Sequence, residues 1–117
     1  NITSVEISPL FCDILVSKGF NVYNKDFLVW SKEFIAAPGY DKIAINPPYS
    51  EGRAKEHTLA ALNHLNEKGI MAAVLPAGYK PEEWIGSEFA CAKSEREFAG
   101  EFEDTGITVA IFVFKRI

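Results

Sequence analysis

The chain has 117 residues, room for one domain and no more. Apolar residues make up 48% and charged residues 24%, with nine Phe, four Tyr and two Trp, which excludes an intrinsically disordered chain. The net charge of −4 excludes binding nucleic acid through the whole surface and leaves room for a local basic patch.

In chain order, Thr3 to Ile7 alternates β-branched residues and reads as a strand. Ser8-Pro9 then opens a helix, with Ser8 as N-cap and Pro9 in the first turn. That helix runs to about Lys18, and Gly19 follows its end. Asn21 to Tyr23 is a short strand, and Phe27 to Phe34 a short amphipathic helix carrying Trp30. Pro38-Gly39 marks a turn, and Lys42 to Ile45 is the next strand, entered through Tyr40-Asp41. Ala54, Thr58, Ala61, Leu62 and Leu65 share one face of a helix predicted over Ala54 to Glu67, closed by Lys68-Gly69. Ile70 to Leu75 is a nearly continuous apolar run, as in a strand buried on both faces. Pro81 to Trp84 starts a further helix, Ser87 to Phe98 is assigned to a helix, and Gly100 to Asp104 to a short strand. After a turn at Thr105-Gly106, Ile107 to Phe114 is a strand, expected to be the antiparallel member. Strands alternating with helices define an α/β fold with a mostly parallel sheet.

Cys12 and Cys91 build no disulfide framework and read as small hydrophobes. His57 and His64 stand without a CxxC or HExxH pattern, so no metal is expected. No apolar run approaches the roughly 20 residues of a membrane span, and no signal peptide is visible. A cytoplasmic protein without a membrane partner is expected. Asn1 is not Met, which points to a segment of a longer protein. Oligomeric state is not legible.

The informative element is Asn46-Pro47-Pro48-Tyr49, directly after a strand. In an open α/β sheet, ligands bind at the carboxyl ends of strands. Asn46 and Pro47 each precede a proline and are pushed to extended geometry. Neither Pro47 nor Pro48 has an N–H to donate. Such a segment presents carbonyls outward. The Asn46 side-chain oxygen and the Pro47 backbone carbonyl can then both accept from one planar –NH2 group. Two fixed acceptors favour a pyramidal nitrogen and stabilise the positive charge that grows when that nitrogen attacks. Tyr49 can stack on the planar group that carries the amine. A Pro-Pro loop that merely ends a strand is the plain alternative.

In this setting the chain resembles the class I S-adenosylmethionine-dependent methyltransferases. It looks most like the N6-adenine-specific DNA methyltransferases, whose catalytic motif is Asn/Asp-Pro-Pro-Tyr. The resemblance extends over nearly the whole chain. It implies a Rossmann-like α/β domain with a mostly parallel sheet and a late antiparallel strand. It implies S-adenosylmethionine as cofactor and Asn46, Pro47, Pro48 and Tyr49 as the catalytic set. Glu6 matches the acidic residue that binds the cofactor ribose hydroxyls, and Asp26 the one that contacts the cofactor adenine. Phe27, next to Asp26, and Asn46 complete the implied cofactor-binding residues. As plain alternatives, Glu6 is a strand-end charge and Asp26 a helix N-cap.

The chain departs from the family at one point. The resemblance implies a first strand and a Gly-x-Gly loop before the Glu6 strand, and residues 1–117 do not include them. In the family's sheet that strand lies between the Glu6 strand and the Lys42–Ile45 strand. Residues 1–117 are therefore expected to form part of one catalytic domain and to bind the cofactor poorly alone. DNA is the expected partner, reached through a module not visible here. Arg53 and Lys55 could touch phosphate, although a solvated helix start is the simpler role. Asn-Pro-Pro-Tyr also occurs in protein-glutamine and RNA N-methyltransferases, and a catalytically silent methyltransferase-like binding module is the third alternative.

Overall fold

Local capping signals and a pairing between distant strands together set the architecture of the chain. The computed structural model describes residues 2–35, 39–99 and 106–117. They fall into two units, Asn1–Ala37 and Pro38–Ile117.

In the first unit, β1 (Thr3–Val5) runs parallel to β2 (Asn21–Tyr23), with Val5 opposite Tyr23. Helix α1 (Pro9–Ser17) connects them. The Ser8 hydroxyl accepts from the Phe11 N–H, and Pro9 fills the first turn, where a missing N–H costs nothing. Gly19 takes φ +88° after the helix end, a conformation that favours glycine. Helix α2 (Phe27–Glu33) is capped by Asp26, whose Oδ1 accepts from the Leu28 and Val29 N–H groups at 2.9 and 3.2 Å. Tyr23, Trp30 and Phe34 cluster with ring centroids 5.1–6.0 Å apart.

The second unit carries β3 (Tyr40–Ile45), α3 (Arg53–Leu62), β4 (Leu65–Pro76), β5 (Phe89–Ala99) and β6 (Thr108–Arg116). Short 3₁₀ turns cover Ser50–Gly52 and Pro81–Glu83. The sheet order is β3-β4-β6-β5. Strands β3 and β4 are parallel, and β6 is antiparallel to both β4 and β5. The late antiparallel strand is therefore β6. Among the described residues no ladder joins this sheet to β1–β2.

Helix α3 buries Ala54, Thr58, Ala61 and Leu62, and on β4 and β6 the residues Met71, Ala73, Leu75, Phe112 and Phe114 are buried. The Thr58 hydroxyl donates to the Ala54 carbonyl at 2.7 Å, which makes its burial tolerable.

Four elements differ from the sequence reading, the first being Pro81 to Trp84, where a single 3₁₀ turn over Pro81–Glu83 stands in place of the expected helix. Helix α3 ends at Leu62 rather than Glu67. The Tyr40 N–H donates to the His64 carbonyl at 2.7 Å, and Leu65 pairs with Tyr40 and is buried. Pairing with β3 thus takes over where the helical pattern would continue. Strand β4 alternates rather than burying both faces: Met71, Ala73 and Leu75 are buried, while Ile70 is 46% exposed. Residues 89–98 form β5 instead of a helix. Phe89, Ala90, Cys91, Ala92 and Lys93 pair in sequence with β6, and a register shift falls between Lys93 and Glu97. The Lys93–Glu97 ion pair, four residues apart, imitates a helical pair in sequence and spans that irregularity in the structure. The strand expected at Gly100 to Asp104 lies outside the described residues, as does Thr105 of the turn.

One-sided burial of the sheet has a direct test. Phe112→Ala should cost about 3–5 kcal/mol, whereas its neighbour Ile111→Ala, on the opposite face and 38% exposed, should cost well under half of that. Urea unfolding of the two variants measures the difference.

Candidate functional site

Strand β3 delivers the Asn-Pro-Pro-Tyr segment to the carboxyl end of the sheet. Its last residue, Ile45, pairs with Ala73 of β4. Asn46 is exposed, Pro47 buried, Pro48 exposed and Tyr49 half-buried. The buried Pro47 holds the segment against the protein, and Asn46 keeps its amide in solvent. The Tyr49 hydroxyl donates to the Val74 carbonyl at 3.0 Å. Burial pushes the Tyr49 phenol above its ordinary pKa, and neighbouring Tyr79 adds to the shift. The phenol is thus held neutral, as a donor must be.

Beyond Tyr49 the chain reverses. Glu51 and Gly52 take φ +58° and +72°, both left-handed, and Gly52 becomes the N-cap residue of α3. Gly52 adopts this without strain and Glu51 does not. Arg53 folds back, its Nε donating to the Ser50 carbonyl at 3.3 Å and a terminal nitrogen to the Ser50 hydroxyl. Arg53 therefore ties the loop down. The loop is fixed at β3, at Tyr49 and at Arg53, so the Asn46 amide and the Pro47 carbonyl sit on a preorganised segment.

The first unit places its two acidic residues at equivalent points. Glu6 follows β1 and Asp26 follows β2, at the carboxyl ends of adjacent parallel strands. The Glu6 N–H donates to the Tyr23 carbonyl at 3.0 Å, and Glu6 Oε2 accepts from the Ser8 N–H at 2.9 Å. Asp26 caps α2 through Oδ1. Each carboxylate thus has a local structural job done by one oxygen, and the second oxygen can still accept from a hydroxyl or an amine. Phe27 is half-buried and stacks on Trp30 at 6.0 Å between centroids. Two carboxylates that accept hydrogen bonds and the Phe27 ring have chemistry that fits an adenosine, which offers hydroxyls, an amine and a flat base.

Beside the Asn46–Tyr49 segment, Tyr79, Lys80, Glu83 and Trp84 escaped the sequence reading of the site, and Lys55 was undervalued in it. A cleft of about 320 Å³ is lined by Gly52, Lys55, Tyr79, Lys80, Glu83 and Trp84. Its sequence signal is Gly78-Tyr79-Lys80 just past the carboxyl end of β4, with Trp84 shortly after. Among the described residues no group of His, Cys, Asp and Glu could hold a metal ion. Cys12 and Cys91 are free thiols. Among the described residues no helix is long and apolar enough to cross a membrane.

No protein-family model matches the sequence, and no curated protein matches it. Solved structures do. A Streptococcus mutans protein assigned as a SAM-dependent methyltransferase superposes with a TM-score of 0.67 at 16% identity, over 97% of this chain and 38% of its own. A protein assigned as a methyltransferase, in a structure complexed with SAH, gives 0.61 at 15% identity, over 97% of this chain and 38% of that one. A Clostridium thermocellum protein assigned as an rRNA methylase gives 0.62 at 13% identity, over 100% and 73%. At these identities the likeness establishes the fold: an α/β, Rossmann-like methyltransferase architecture with a mixed sheet. The present chain spans well under half the length of the first two structures.

The Tyr49 anchor is testable by pH. Below the ordinary tyrosine pKa near 10 the phenol is protonated both folded and unfolded, and the full stabilisation is present. As pH rises past 10 the unfolded chain ionises while the folded phenol holds its proton, so stability falls. Tyr49→Phe should cost about 1 kcal/mol at pH 7 and lose less stability than wild type between pH 9.5 and 11. The Cys91 thiol, pushed up to about 11 by burial and then by Glu82, adds an equal alkaline loss to both proteins. Urea titrations across that range provide the comparison.

Proposed function

We propose that residues 1–117 are part of the catalytic domain of an S-adenosylmethionine-dependent N-methyltransferase whose target is adenine N6 in DNA. The observation that carries this reading is the fixed Asn46-Pro47-Pro48-Tyr49 segment at the carboxyl end of β3, with Tyr49 tied to Val74. Glu6 would accept from the cofactor ribose hydroxyls, and Asp26 from the adenine amine. Phe27 would lie against the adenine ring, and Asn46 would face the target amine. When bound, the cofactor supplies an electrophilic methyl group.

The chain's own residues prepare the nucleophile. The Asn46 side-chain oxygen and the Pro47 carbonyl accept the two amine hydrogens. Pro48 keeps the segment extended and free of competing N–H donors. The acceptors are in place before reaction, so no reorganisation is needed as positive charge grows on the nitrogen. Tyr49 offers its ring to the flat target base, which a duplex must first release from its stack. An RNA adenine is the second reading, supported by the structural likeness to a protein assigned as an rRNA methylase.

The test is mutational, on the intact protein. Asn46→Ala should lower methyl transfer by about 100-fold or more and leave cofactor affinity within a few fold. Glu6→Ala should do the converse, weakening cofactor binding by about tenfold or more. Radiolabelled methyl transfer and calorimetry report the two quantities. Near-normal turnover by Asn46→Ala would remove Asn46 from the catalytic set.

A further inference from the structure

The cleft beside the catalytic loop has a composition that the methyl-transfer step does not use. Two of its members are cations, Lys55 and Lys80, against one acid, Glu83. In a chain of net charge −4, two exposed ammonium groups therefore line one cleft. The described ion pairs engage Lys25 and Lys93, so neither cleft lysine is neutralised in one. Two further members are aromatic. The Tyr79 and Trp84 rings stand 6.5 Å apart at 88°, forming a corner rather than a closed stack. The Lys55 ammonium lies over one face of the Trp84 ring, 5.7 Å from its centroid, which leaves the opposite face for a flat group.

Position links the cleft to the reaction. Gly52 lies in its wall, three residues past Tyr49. Tyr79 lies in its wall as well and is near enough to act on the Tyr49 phenol. The volume of about 320 Å³ is at the small end for ligand sites. A long polymer does not fit there, and one unit of a polymer does. Aromatic platforms combined with cations are the means by which proteins hold single-stranded nucleic acid: bases stack and phosphates meet ammonium groups.

We propose that the cleft of Lys55, Tyr79, Lys80 and Trp84 holds the nucleotide adjoining the target nucleotide on the same strand, its phosphate against the two lysines and its base on Trp84. This rests on the reading that the target amine belongs to nucleic acid. The cleft then fixes strand direction and keeps the target base at Asn46 once it has left its stack. Lys55 and Lys80 are binding residues in this account, and Trp84 is the residue through which a preference for the neighbouring base would arise.

The experiment uses the intact protein and a fluorescent 12-nucleotide single strand containing adenine, as DNA and as RNA. Anisotropy reads binding at several salt concentrations, and methyl transfer to the same strand is measured in parallel. The combined Lys55→Gln, Lys80→Gln protein should bind at least tenfold more weakly at low salt. Its log–log salt slope should be shallower by about 0.7, the value for one phosphate contact on a single strand. Trp84→Ala should bind about tenfold more weakly with an unchanged slope, and Trp84→Phe should stay within about threefold of wild type. The exposed lysines carry the decision should Trp84→Ala fail to fold. If wild type binds and methylates the strand while the double glutamine protein matches its affinity and slope, the cleft assignment is overturned and the nucleic-acid reading stands. If wild type methylates a glutamine peptide and neither binds nor methylates the strand, both are overturned.

Discussion

The parallel pairing of β3 with β4 is the constraint on which the second unit depends. Lys42 to Ile45 matched in order to Ile70 to Ala73 ends β3 beside Ala73, three residues before the end of β4. The Asn46–Tyr49 segment and the chain after Pro76 leave the sheet from these neighbouring ends. Tyr49 can then reach the Val74 carbonyl across 25 residues of sequence, and Tyr79 can stand close to Tyr49. A shift of one residue in register would turn Met71, Ala73 and Leu75 from the buried face to the opposite one. The hydrophobic pattern that stabilises the sheet therefore also sets the position of the loop.

The same arrangement separates two kinds of residue. Buried apolar groups on β4, β6 and α3 hold the scaffold, and the polar groups sit on turns at the strand ends. The acids Glu6 and Asp26 cap or brace helix starts in the first unit, so they are already oriented by backbone N–H groups. A carboxylate fixed by one oxygen presents the other in a defined direction, with little entropy left to lose on binding. Asn46 gains similar rigidity from the two prolines that follow it. The cations near the loop divide by role: Arg53 is spent on Ser50, whereas Lys55 and Lys80 face the cleft.

Much of this was legible locally. Ser8-Pro9, Asp26 and the strand running into Asn46-Pro47-Pro48-Tyr49 announce themselves through capping chemistry and proline geometry, which act over a few residues. Strand β6 was legible from the nearly continuous apolar run Ile107 to Phe114, and its antiparallel sense was expected from its place late in the chain and from the family resemblance. What escaped depends on partners far away in sequence. Leu65 fits the face of a continuing helix, yet its pairing with Tyr40 ends that helix. Residues 89–98 carry a helix-like charge spacing, and only the neighbouring β6 makes them a strand. Proline and tyrosine chemistry suggested a stacking ring at Tyr49, but its hydroxyl's bond to Val74 is a tertiary fact. The Tyr79–Trp84 corner is equally invisible until two turns are brought together.

The most direct test of the central claim is the chemical identity of the methylated product. The intact protein is incubated with S-adenosylmethionine carrying a deuterated methyl group and with three acceptors: adenine-containing DNA, the matching RNA and a glutamine peptide. Digestion and mass spectrometry locate the label. The account predicts N6-methyladenine in nucleic acid, with DNA the better acceptor. A label found on the glutamine amide alone, or no transfer by a protein shown to bind the cofactor, would contradict it.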